Sequence, residues 1–215
     1  MIVEASHIER NLRERHGKEM TAEKKKILRK QILKIRDEMP PAAREEKSRI
    51  IMETLFTTPF YQKADTILTY VNYKSEVNTT DLVNRVIADG KRLFAPKVSG
   101  ETMAFYQLTG MNDLREGYKG IREPISGPVY GAQPDTGETL LLMPGAVFDE
   151  NCHRIGYGKG FYDKYLKWIS EKGITVQTLA LCFECQVLSE IPSETHDIRP
   201  QMILTERKLR QMTKR

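Results

Sequence analysis

The fold of this chain is constrained most strongly by the alternation of short apolar segments with amphipathic ones. Leu140–Met143 is a continuous apolar run that ends at Pro144 and Gly145, as expected for a strand buried on both faces. Thr66–Val71 and Val176–Cys182 are also typical of strands, and segments with helical spacing separate the three. This order predicts an α/β fold with three layers, in which a mostly parallel central sheet carries helices on both faces.

Helical spacing begins near Thr21. The apolar positions that recur at this spacing are Leu28, Ile32, Ile35 and Met39. Pro40 and Pro41 end this helix, and Pro41 then suits the first turn of a second helix that ends before Pro59. Residues 1–20 are polar and poorly patterned, so we expect an extension over 1–20 and a single α/β domain over 21–215.

The remaining elements follow from similar local signals. A helix is predicted from Thr79 or Thr80 to Gly90, and another over Phe161–Ser170. Arg92–Ala95 is predicted as a strand that Pro96 ends, and Met103–Leu108 as a further strand. The glycine-rich and proline-rich stretch 117–137 is predicted as loop.

Composition and charge exclude several classes of protein. Hydrophobic residues make up 40% and charged residues 29% of the chain, which is ordinary for a globular domain. No apolar run approaches the roughly 20 residues of a membrane helix. The N-terminus lacks the apolar segment of a secretory signal, so we expect a cytoplasmic protein with no membrane partner and with three free cysteines.

The net charge of +5 is an N-terminal property. Residues 1–49 hold 14 Lys and Arg against 9 Asp and Glu, whereas residues 50–215 hold 20 of each. A basic face could bind a polyanion, but a solvated helix face explains it equally well. Since the sequence shows neither a nucleic-acid-reading motif nor a basic stripe with interleaved aromatic residues, we expect no nucleic-acid partner.

One segment combines the features of a phosphate site. Gly156, Gly158 and Gly160 alternate with other residues between a buried strand and a helix, and Arg154 and Lys159 add positive charge. The spacing is neither that of a Walker A loop nor the G-x-G-x-x-G of dinucleotide folds. The alternative is a glycine-rich turn with basic surface residues.

Asp163 follows this segment closely. A carboxylate there could hold Mg²⁺ against nucleotide phosphates, or it could be an ordinary acid of a helix first turn.

The motifs around this segment resemble those of the 5-formyltetrahydrofolate cyclo-ligase family. The family's Pro-Gly-x-x-Phe-Asp run is matched by Pro144–Asp149, and its Arg-x-Gly-x-Gly-x-Gly-Tyr-Tyr-Asp run by Arg154–Asp163, with Phe161 in place of the first Tyr. Gly120–Pro124 and Ile191–Asp197 also match, and the likeness covers residues 22–206. The chain departs from the family at Cys152, where a Gly is usual, and at Gln201, where an acid is expected.

The resemblance implies an ATP-dependent cyclisation of 5-formyltetrahydrofolate to 5,10-methenyltetrahydrofolate, with release of ADP and phosphate. It implies a Rossmann-like sheet similar to those of sugar-phosphate isomerases and CoA-transferases. Lys159 and Arg154 are predicted to be catalytic. The residues implied to bind ATP are Lys25, Lys26, Ile27, Leu28, Arg29, Arg154, Ile155, Gly156, Tyr157, Gly158, Lys159, Gly160, Phe161 and Tyr162.

The resemblance also implies a folate site and a metal. The residues implied to bind folate are Arg29, Val71, Glu76, Tyr157, Gly158, Lys159, Gly160 and Phe161. Asp163 and Asp197 are implied to hold Mg²⁺, ATP is a co-substrate, and a monomer is expected. Outside the family context, Glu76 would be interpreted as an ordinary surface acid.

Other interpretations remain open at this stage. Cys182 and Cys185 have C-x-x-C spacing, and Cys152 with His153 could complete a zinc site, although buried thiols are the simpler reading. His196 could be a general base or a scaffold group. The chain could instead be a non-catalytic basic protein that binds a nucleotide or RNA, or an enzyme of related sheet architecture with another activity.

Overall fold

The computed structural model describes residues 21–117, 120–131, 137–195 and 197–212, so the expected extension over 1–20 and His196 lie outside the described residues. Helix α1 covers residues 21–37 of the described part. The other α-helices are α2 (Pro41–Thr57), α3 (Pro59–Lys63), α4 (Thr80–Ala88) and α5 (Phe161–Glu171). The strands are β1 (Thr66–Leu68), β2 (Arg92–Ser99), β3 (Thr102–Leu108), β4 (Leu114–Glu116), β5 (Arg122–Pro124), β6 (Thr139–Met143), β7 (Val147–Asp149), β8 (Arg154–Ile155), β9 (Gln177–Leu181), β10 (Val187–Leu188), β11 (Met202–Leu204) and β12 (Leu209–Gln211).

The predicted α/β fold is confirmed. Within the described residues, seven strands form the main sheet in the order β12-β11-β9-β6-β1-β2-β3. The five inner strands are parallel, and the edge strands β12 and β3 run antiparallel to their neighbours. The sheet therefore has the parallel centre that the apolar run of β6 predicts.

Alternate residues of β6 supply the two faces of the sheet. Leu140 and Leu142 join the apolar cluster that includes residues of α2, α3 and α4. Leu141 and Met143 join the opposite cluster, which includes Tyr165 and residues Leu166 and Ile169 of α5. Helices thus cover both faces, as the alternation of elements predicts.

Strand β2 is longer than predicted, because Pro96 lies within it. The carbonyl of Phe94 accepts a hydrogen bond from the Thr69 amide at 2.9 Å, so Phe94 directs its backbone polar groups towards the β1 side. Pro96, two residues later, has the same orientation, while β1 pairs no further than Phe94. The missing N–H of Pro96 is therefore not needed by β3, with which the strand continues to pair.

The prediction of loop throughout 117–137 is wrong in part. Arg122–Pro124 forms β5, which pairs antiparallel with β4. A bridge between Tyr106 and Val129 also joins this stretch to β3. Three-residue strands are too short to give a period that sequence analysis can detect.

A second, three-stranded sheet in the order β10-β7-β8 lies beside α1. Ile32 of α1 packs with Val147 and Ile155 of that sheet. Helical spacing predicts that Ile35 lies on the same inward face as Ile32. That prediction is wrong, because Ile35 is 50% exposed. The inward position beside it belongs to Arg36, which is buried. The face of α1 that meets the protein is therefore partly charged.

No helix within the described residues is both long enough and apolar enough to cross a bilayer.

Candidate active site

The glycine-rich segment forms a tight loop between β8 and α5. Gly158 has φ +95° and Gly160 has φ +65°, values that a residue with a side chain rarely adopts. Gly160 is also the N-cap of α5, and among the described residues no side-chain cap accepts from the first-turn amides. The amide groups at the start of a helix attract anions when nothing caps them.

Helix α1 packs its Arg29 on this loop. The Nε atom of Arg29 donates to the carbonyl oxygen of Gly156 at 2.7 Å. A Cβ atom on Gly158 would lie 3.7 Å from the Arg29 guanidinium carbon. Burial lowers the pKa of Arg29, which means that the charged guanidinium is incompletely solvated. The predicted ATP-binding residues of α1 and of the loop therefore meet at Arg29.

The two residues predicted to be catalytic have different environments. Lys159 is exposed in the loop, where a phosphoryl group could reach it. Arg154 is 8% exposed and donates to Asp163 Oδ1 at 2.9 Å. The buried Nε atom of Arg154 has no hydrogen-bond partner among the described residues. Lys159 is thus the more accessible cation, and Arg154 connects the loop to Asp163.

Lys25 lies at the other end of the site. Its Nζ atom donates to Asp197 Oδ2 at 2.6 Å and to Glu194 Oε2 at 2.7 Å. Burial alone would lower the pKa of Lys25, but the hydrogen bonds to Asp197 and Glu194 and their negative charges together outweigh burial, and the pKa is raised. Glu194 belongs to the same Ile191–Asp197 motif as Asp197, and no role was predicted for it from the sequence.

The two predicted metal ligands lie near each other. Asp163 Oδ1 accepts a hydrogen bond from the amide of Ile198 at 3.3 Å, directly beyond Asp197. Each carboxylate already pairs with a cation, Asp163 with Arg154 and Asp197 with Lys25. Across the described ranges no group of three or more His, Cys, Asp or Glu side chains could hold a metal. Mg²⁺ that is bound beside a nucleotide usually has one or two carboxylate ligands from the protein, and Asp163 and Asp197 would supply two. The residues therefore fit the ion, and the magnesium site remains a prediction.

Other predicted ATP-binding residues of α1 lie outside this cluster. Lys26 and Ile27 are exposed, and Lys26 pairs with Glu23 at 3.7 Å on the helix surface. Leu28 is half-buried and packs beside Ile32. Consecutive helical residues point in different directions, so a five-residue motif on a helix cannot bring every side chain to one ligand.

The predicted folate residues Val71 and Glu76 lie on the segment between β1 and α4. The amide of Tyr73 donates to Glu76 Oε2 at 2.8 Å. Burial raises the pKa of Glu76, against the opposing effects of hydrogen bonds from Tyr157 and Tyr73 and of the Arg36 charge. Val71 lines a small cavity of about 90 Å³. The other lining residues are Asn72, Thr79, Thr80, Val83, Met111, Leu114 and Arg122.

Arg36 is the site residue that sequence reasoning missed. It is 4% exposed, and its Nη1 atom donates to the hydroxyl of Tyr157 at 2.8 Å. Tyr157 as a whole residue is 43% exposed, and its hydroxyl is the end that Arg36 contacts. The available signal was spacing, because Arg36 lies two turns beyond Arg29 on the same helix.

The two departures from the family pattern have local explanations. Cys152 has φ +64°, a left-handed conformation in which Gly is the usual residue, and its side chain is buried. Gln201 Oε1 accepts from the Thr178 amide at 2.9 Å, and the Gln201 amide donates to Thr178 Oγ1 at 2.9 Å. Gln201 therefore joins the starts of β9 and β11.

Comparison with known proteins identifies the family. The model of the 5-formyltetrahydrofolate cyclo-ligase family matches residues 21–206. The probable 5-formyltetrahydrofolate cyclo-ligase of Schizosaccharomyces pombe is 30% identical over 176 residues, which cover 77% of this chain and 86% of the relative. The 5-formyltetrahydrofolate cyclo-ligase of Mus musculus is 28% identical over 170 residues, which cover 76% of this chain and 84% of the relative.

Solved structures agree with the sequence matches. The NMR structure of Aquifex aeolicus 5,10-methenyltetrahydrofolate synthetase superposes with a TM-score of 0.76 at 28% identity, over 89% of this chain and 94% of that one. A 5,10-methenyltetrahydrofolate synthetase from Mycoplasma pneumoniae has the same fold, with a TM-score of 0.66 at 22% identity over 85% of this chain and 98% of that one. Since the matched region contains the glycine loop, α1 and the Ile191–Asp197 motif, this chain belongs to the 5-formyltetrahydrofolate cyclo-ligase family.

Proposed function

We propose that this protein uses ATP to cyclise 5-formyltetrahydrofolate to 5,10-methenyltetrahydrofolate, with release of ADP and phosphate. The observation that carries the proposal is the glycine loop, in which the uncapped start of α5, the exposed Lys159 and the Arg29 guanidinium lie together. Amides and cations at such a loop are the groups that bind nucleotide phosphates. Family membership supplies the folate substrate.

The chemical difficulty is the low reactivity of the N5-formyl amide. Resonance makes its carbon a poor electrophile and its oxygen a poor leaving group. In the proposed first step the formyl oxygen attacks the γ-phosphorus of ATP, the bond to ADP breaks, and an iminium phosphate forms. N10 then attacks the formyl carbon, the proton of N10 is lost, and phosphate leaves with its oxygen. The product is the methenyl bridge.

The protein would accelerate the first step mainly by positioning and by neutralising charge on the phosphoryl oxygens. Lys159 is proposed to contact the transferring phosphoryl group, and the glycine-loop amides the adjacent phosphates. Arg154 has a buried Nε atom that lacks a partner within the described ranges, and a phosphoryl oxygen could accept from it. Arg29 holds α1 against the loop and closes this end of the site.

Asp163 and Asp197 are proposed to hold Mg²⁺, which would neutralise charge on the nucleotide phosphates when bound. Asp163 now pairs with Arg154, and Asp197 with Lys25. When Mg²⁺ binds, each carboxylate would either lose its ion pair or keep it beside the metal. We expect Asp163→Asn to raise the Mg²⁺ concentration that gives half-maximal activity, because an amide is a weaker Mg²⁺ ligand than a carboxylate.

The folate would lie between the glycine loop and the segment after β1. There the Glu76 carboxylate can accept hydrogen bonds from the donor edge of the pterin, and Val71 offers an apolar contact.

The test is an assay of purified protein with ATP, Mg²⁺ and 5-formyltetrahydrofolate, followed by the near-ultraviolet absorbance of the methenyl product. We expect Lys159→Ala to lower kcat by about a hundredfold, as loss of one charge-stabilising donor typically does. Lys167→Ala is the matched control, because Lys167 lies on the neighbouring helix α5 with its side chain 75% exposed. It should leave kcat unchanged.

Absence of any methenyl signal from folded wild-type protein would contradict the proposal. Strongly salt-dependent binding of a polyanion in that case would favour a non-catalytic nucleotide-binding or RNA-binding protein. Methenyl formation without ATP would equally contradict it.

A further inference from the structure

Asp149 is the last residue of the Pro144–Asp149 run, and no step of the proposed reaction uses it. Its side chain is fully buried at the end of β7. Oδ1 accepts from the amides of Asn151 and His153, both at 2.9 Å. Oδ2 accepts from Nδ1 of His153 at 2.8 Å and from the amide of Ile191 at 3.2 Å. Four donors suit an ionised carboxylate, which can only accept.

The two oxygens of Asp149 join different parts of the chain. Oδ1 closes the turn between β7 and β8, since its partners lie within four residues, as is common for an acid in a turn. The amide of Ile191, in contrast, lies 42 residues further along the chain. The turn therefore does not explain this contact, through which Asp149 also holds the start of the Ile191–Asp197 motif.

The Ile191–Asp197 motif in turn holds helix α1 at two places. The side chain of Ile191 is 4% exposed and belongs to the same apolar cluster as Ile32 of α1. Two carboxylates of the motif accept from Nζ of Lys25, near the start of α1, at 2.6 and 2.7 Å. A displacement of the motif would therefore be transmitted to the first turns of α1.

The first turns of α1 lie on the ATP side of the candidate site. Arg29, one turn after Lys25, donates to the carbonyl oxygen of Gly156 in the glycine loop at 2.7 Å. The segment after β1 is held further along the helix, where Arg36 donates to Ser75 at 3.0 Å. Arg36 lies roughly 16 Å beyond Lys25 along the helix axis. A displacement at the start of α1 would thus disturb the glycine loop more than the folate side.

We propose that Asp149 is a positioning residue that acts through the amide of Ile191 to hold α1 over the glycine loop, and that it thereby increases the affinity for ATP. The inference rests on the proposed function and adds to it a fully buried residue that acts through another segment. It also gives a role to the Pro144–Asp149 run, which the proposed chemistry does not use.

The variant Asp149→Asn separates the two roles of the carboxylate. The amide oxygen can still accept from the two turn amides, whereas the NH₂ group meets the N–H of Ile191, donor against donor. The ring of His153 can adapt, because its Nδ1 atom accepts from that NH₂ group in the other tautomer. The variant therefore removes mainly the contact with Ile191.

The first measurement is the Kd for ATP by isothermal titration calorimetry, with Mg²⁺ and without folate so that no turnover occurs. We expect Asp149→Asn to raise this Kd about tenfold, the size expected for one hydrogen bond to a charged group. The Kd for 5-formyltetrahydrofolate, measured without ATP, should stay within about twofold. Loss of stability alone would reduce the amount of folded protein and leave the Kd of the folded fraction unchanged.

The second measurement is hydrogen exchange followed by mass spectrometry. In Asp149→Asn we expect faster exchange in a peptide that contains Ile191, without faster exchange in the turn between β7 and β8. Because coupling between two events is reciprocal, ATP should slow the exchange of this peptide in wild-type protein. This result decides the matter if Asp149→Asn does not fold, since exchange that ATP leaves unchanged would overturn the inference.

The matched control is His153→Ala, which removes the other partner of Oδ2 and keeps the contact with Ile191. The side chain of His153 is 23% exposed, so water can take its place on the carboxylate. Both Kd values should stay within about twofold of the wild-type values.

An unchanged Kd for ATP in folded Asp149→Asn overturns the inference. So does an equal rise in His153→Ala, which would assign the effect to the turn, or an equal rise in the Kd values for ATP and folate. Wild-type protein that binds no ATP contradicts the proposed function itself. The two failures are therefore distinguishable.

Discussion

At the scale of single residues, Gly158 illustrates how the loop depends on backbone geometry. Its φ of +95° excludes most side chains, and the Arg29 guanidinium lies 3.7 Å from the place where a Cβ atom would be. A side chain here would strain the loop and press on the residue that ties α1 to it. The loop therefore needs glycine both for its own shape and for the approach of α1.

Replacing Gly158 by Ala should impair ATP binding more than stability. The left-handed backbone costs an L residue about 1–2 kcal/mol, so the free energy of unfolding falls by about that amount. The KM for ATP should rise, because the loop can no longer keep its shape under Arg29. Gly173→Ala is the control, since Gly173 has φ +72° with nothing within 4 Å and lies after α5. Chemical denaturation should show a similar loss of stability for Gly173→Ala, while its KM for ATP stays at the wild-type value. Equal KM values for ATP in the two variants would contradict the prediction.

The three cysteines should be chemically quiet in the native protein. Cys152 and Cys182 are buried, and burial raises the pKa of Cys152 to about 11 and that of Cys185 above its usual value. Since the thiolate is the reactive form, alkylation by iodoacetamide at pH 7.5 should be slow until the protein is unfolded in guanidinium. If mass spectrometry located rapid modification at Cys152 in folded protein, the prediction that its buried thiol reacts slowly would be contradicted.

At the residue level, motifs made it possible to name candidate positions, whereas chemistry that depends on packing could not be predicted. The glycines, Lys159 and Arg29 could be chosen from the sequence because their spacing is specific. Arg36 was missed despite its spacing of two turns from Arg29, because an arginine in an amphipathic helix is normally assigned to the solvent face. Only the packing of α1 on the small sheet shows that its inward face carries Arg36 in place of Ile35.

At the scale of secondary-structure elements, the edge strand β12 is held by an ion cluster. Arg210 is buried and donates through Nη2 to Glu184 at 2.6 Å and to Glu150 at 3.0 Å. Lys208 also pairs with Glu150 at 3.3 Å. These contacts join the antiparallel edge of the main sheet to the turn after β7 and to the turn after β9.

The cluster predicts a specific pH dependence of stability. Hydrogen bonds from Arg210 lower the pKa of Glu150 to about 2 and lower that of Glu184, so the folded protein favours the ionised forms. This stabilisation is complete above the usual glutamate pKa of 4.5 and is lost as the pH falls from there towards about 2. Arg210→Met should cost about 2 kcal/mol at pH 7, less than a fully buried pair because Glu150 is half exposed.

Urea unfolding of wild-type and Arg210→Met protein at several pH values checks this dependence. The difference in free energy of unfolding should shrink below pH 4.5. A difference independent of pH would mean that Arg210 stabilises β12 through packing alone. Arg49→Met removes an exposed arginine that also pairs with two glutamates, and it should have no measurable effect.

Prediction of the elements followed the strength of their periodicity. Strand β6 and helix α5 are long or apolar enough to be identified, and both lie where the sequence predicts them. Strands β7, β8 and β10 have two or three residues each, so pairing with neighbours defines them and no local pattern reveals them. The continuation of β2 through Pro96 depends likewise on where β1 ends.

At the scale of the whole molecule, the candidate site is assembled from four distant stretches of sequence. Helix α1 contacts the other three, which are the segment after β1, the glycine loop before α5 and the Ile191–Asp197 motif. The segment after β1 follows the carboxyl end of a parallel strand, the usual place for ligands in α/β proteins. The order of elements predicts that a ligand would bind at this edge of the sheet. It cannot predict which side chains face one another across it, because those contacts depend on tertiary packing.

The central claim is that this one site couples ATP cleavage to closure of the folate ring. The most direct measurement follows phosphate release and methenyl absorbance together in one reaction of the purified protein with ATP, Mg²⁺ and 5-formyltetrahydrofolate. The account predicts equal amounts of phosphate and methenyl product, and no phosphate when folate is omitted. Phosphate release that continues without folate, or methenyl product that exceeds phosphate, would contradict it.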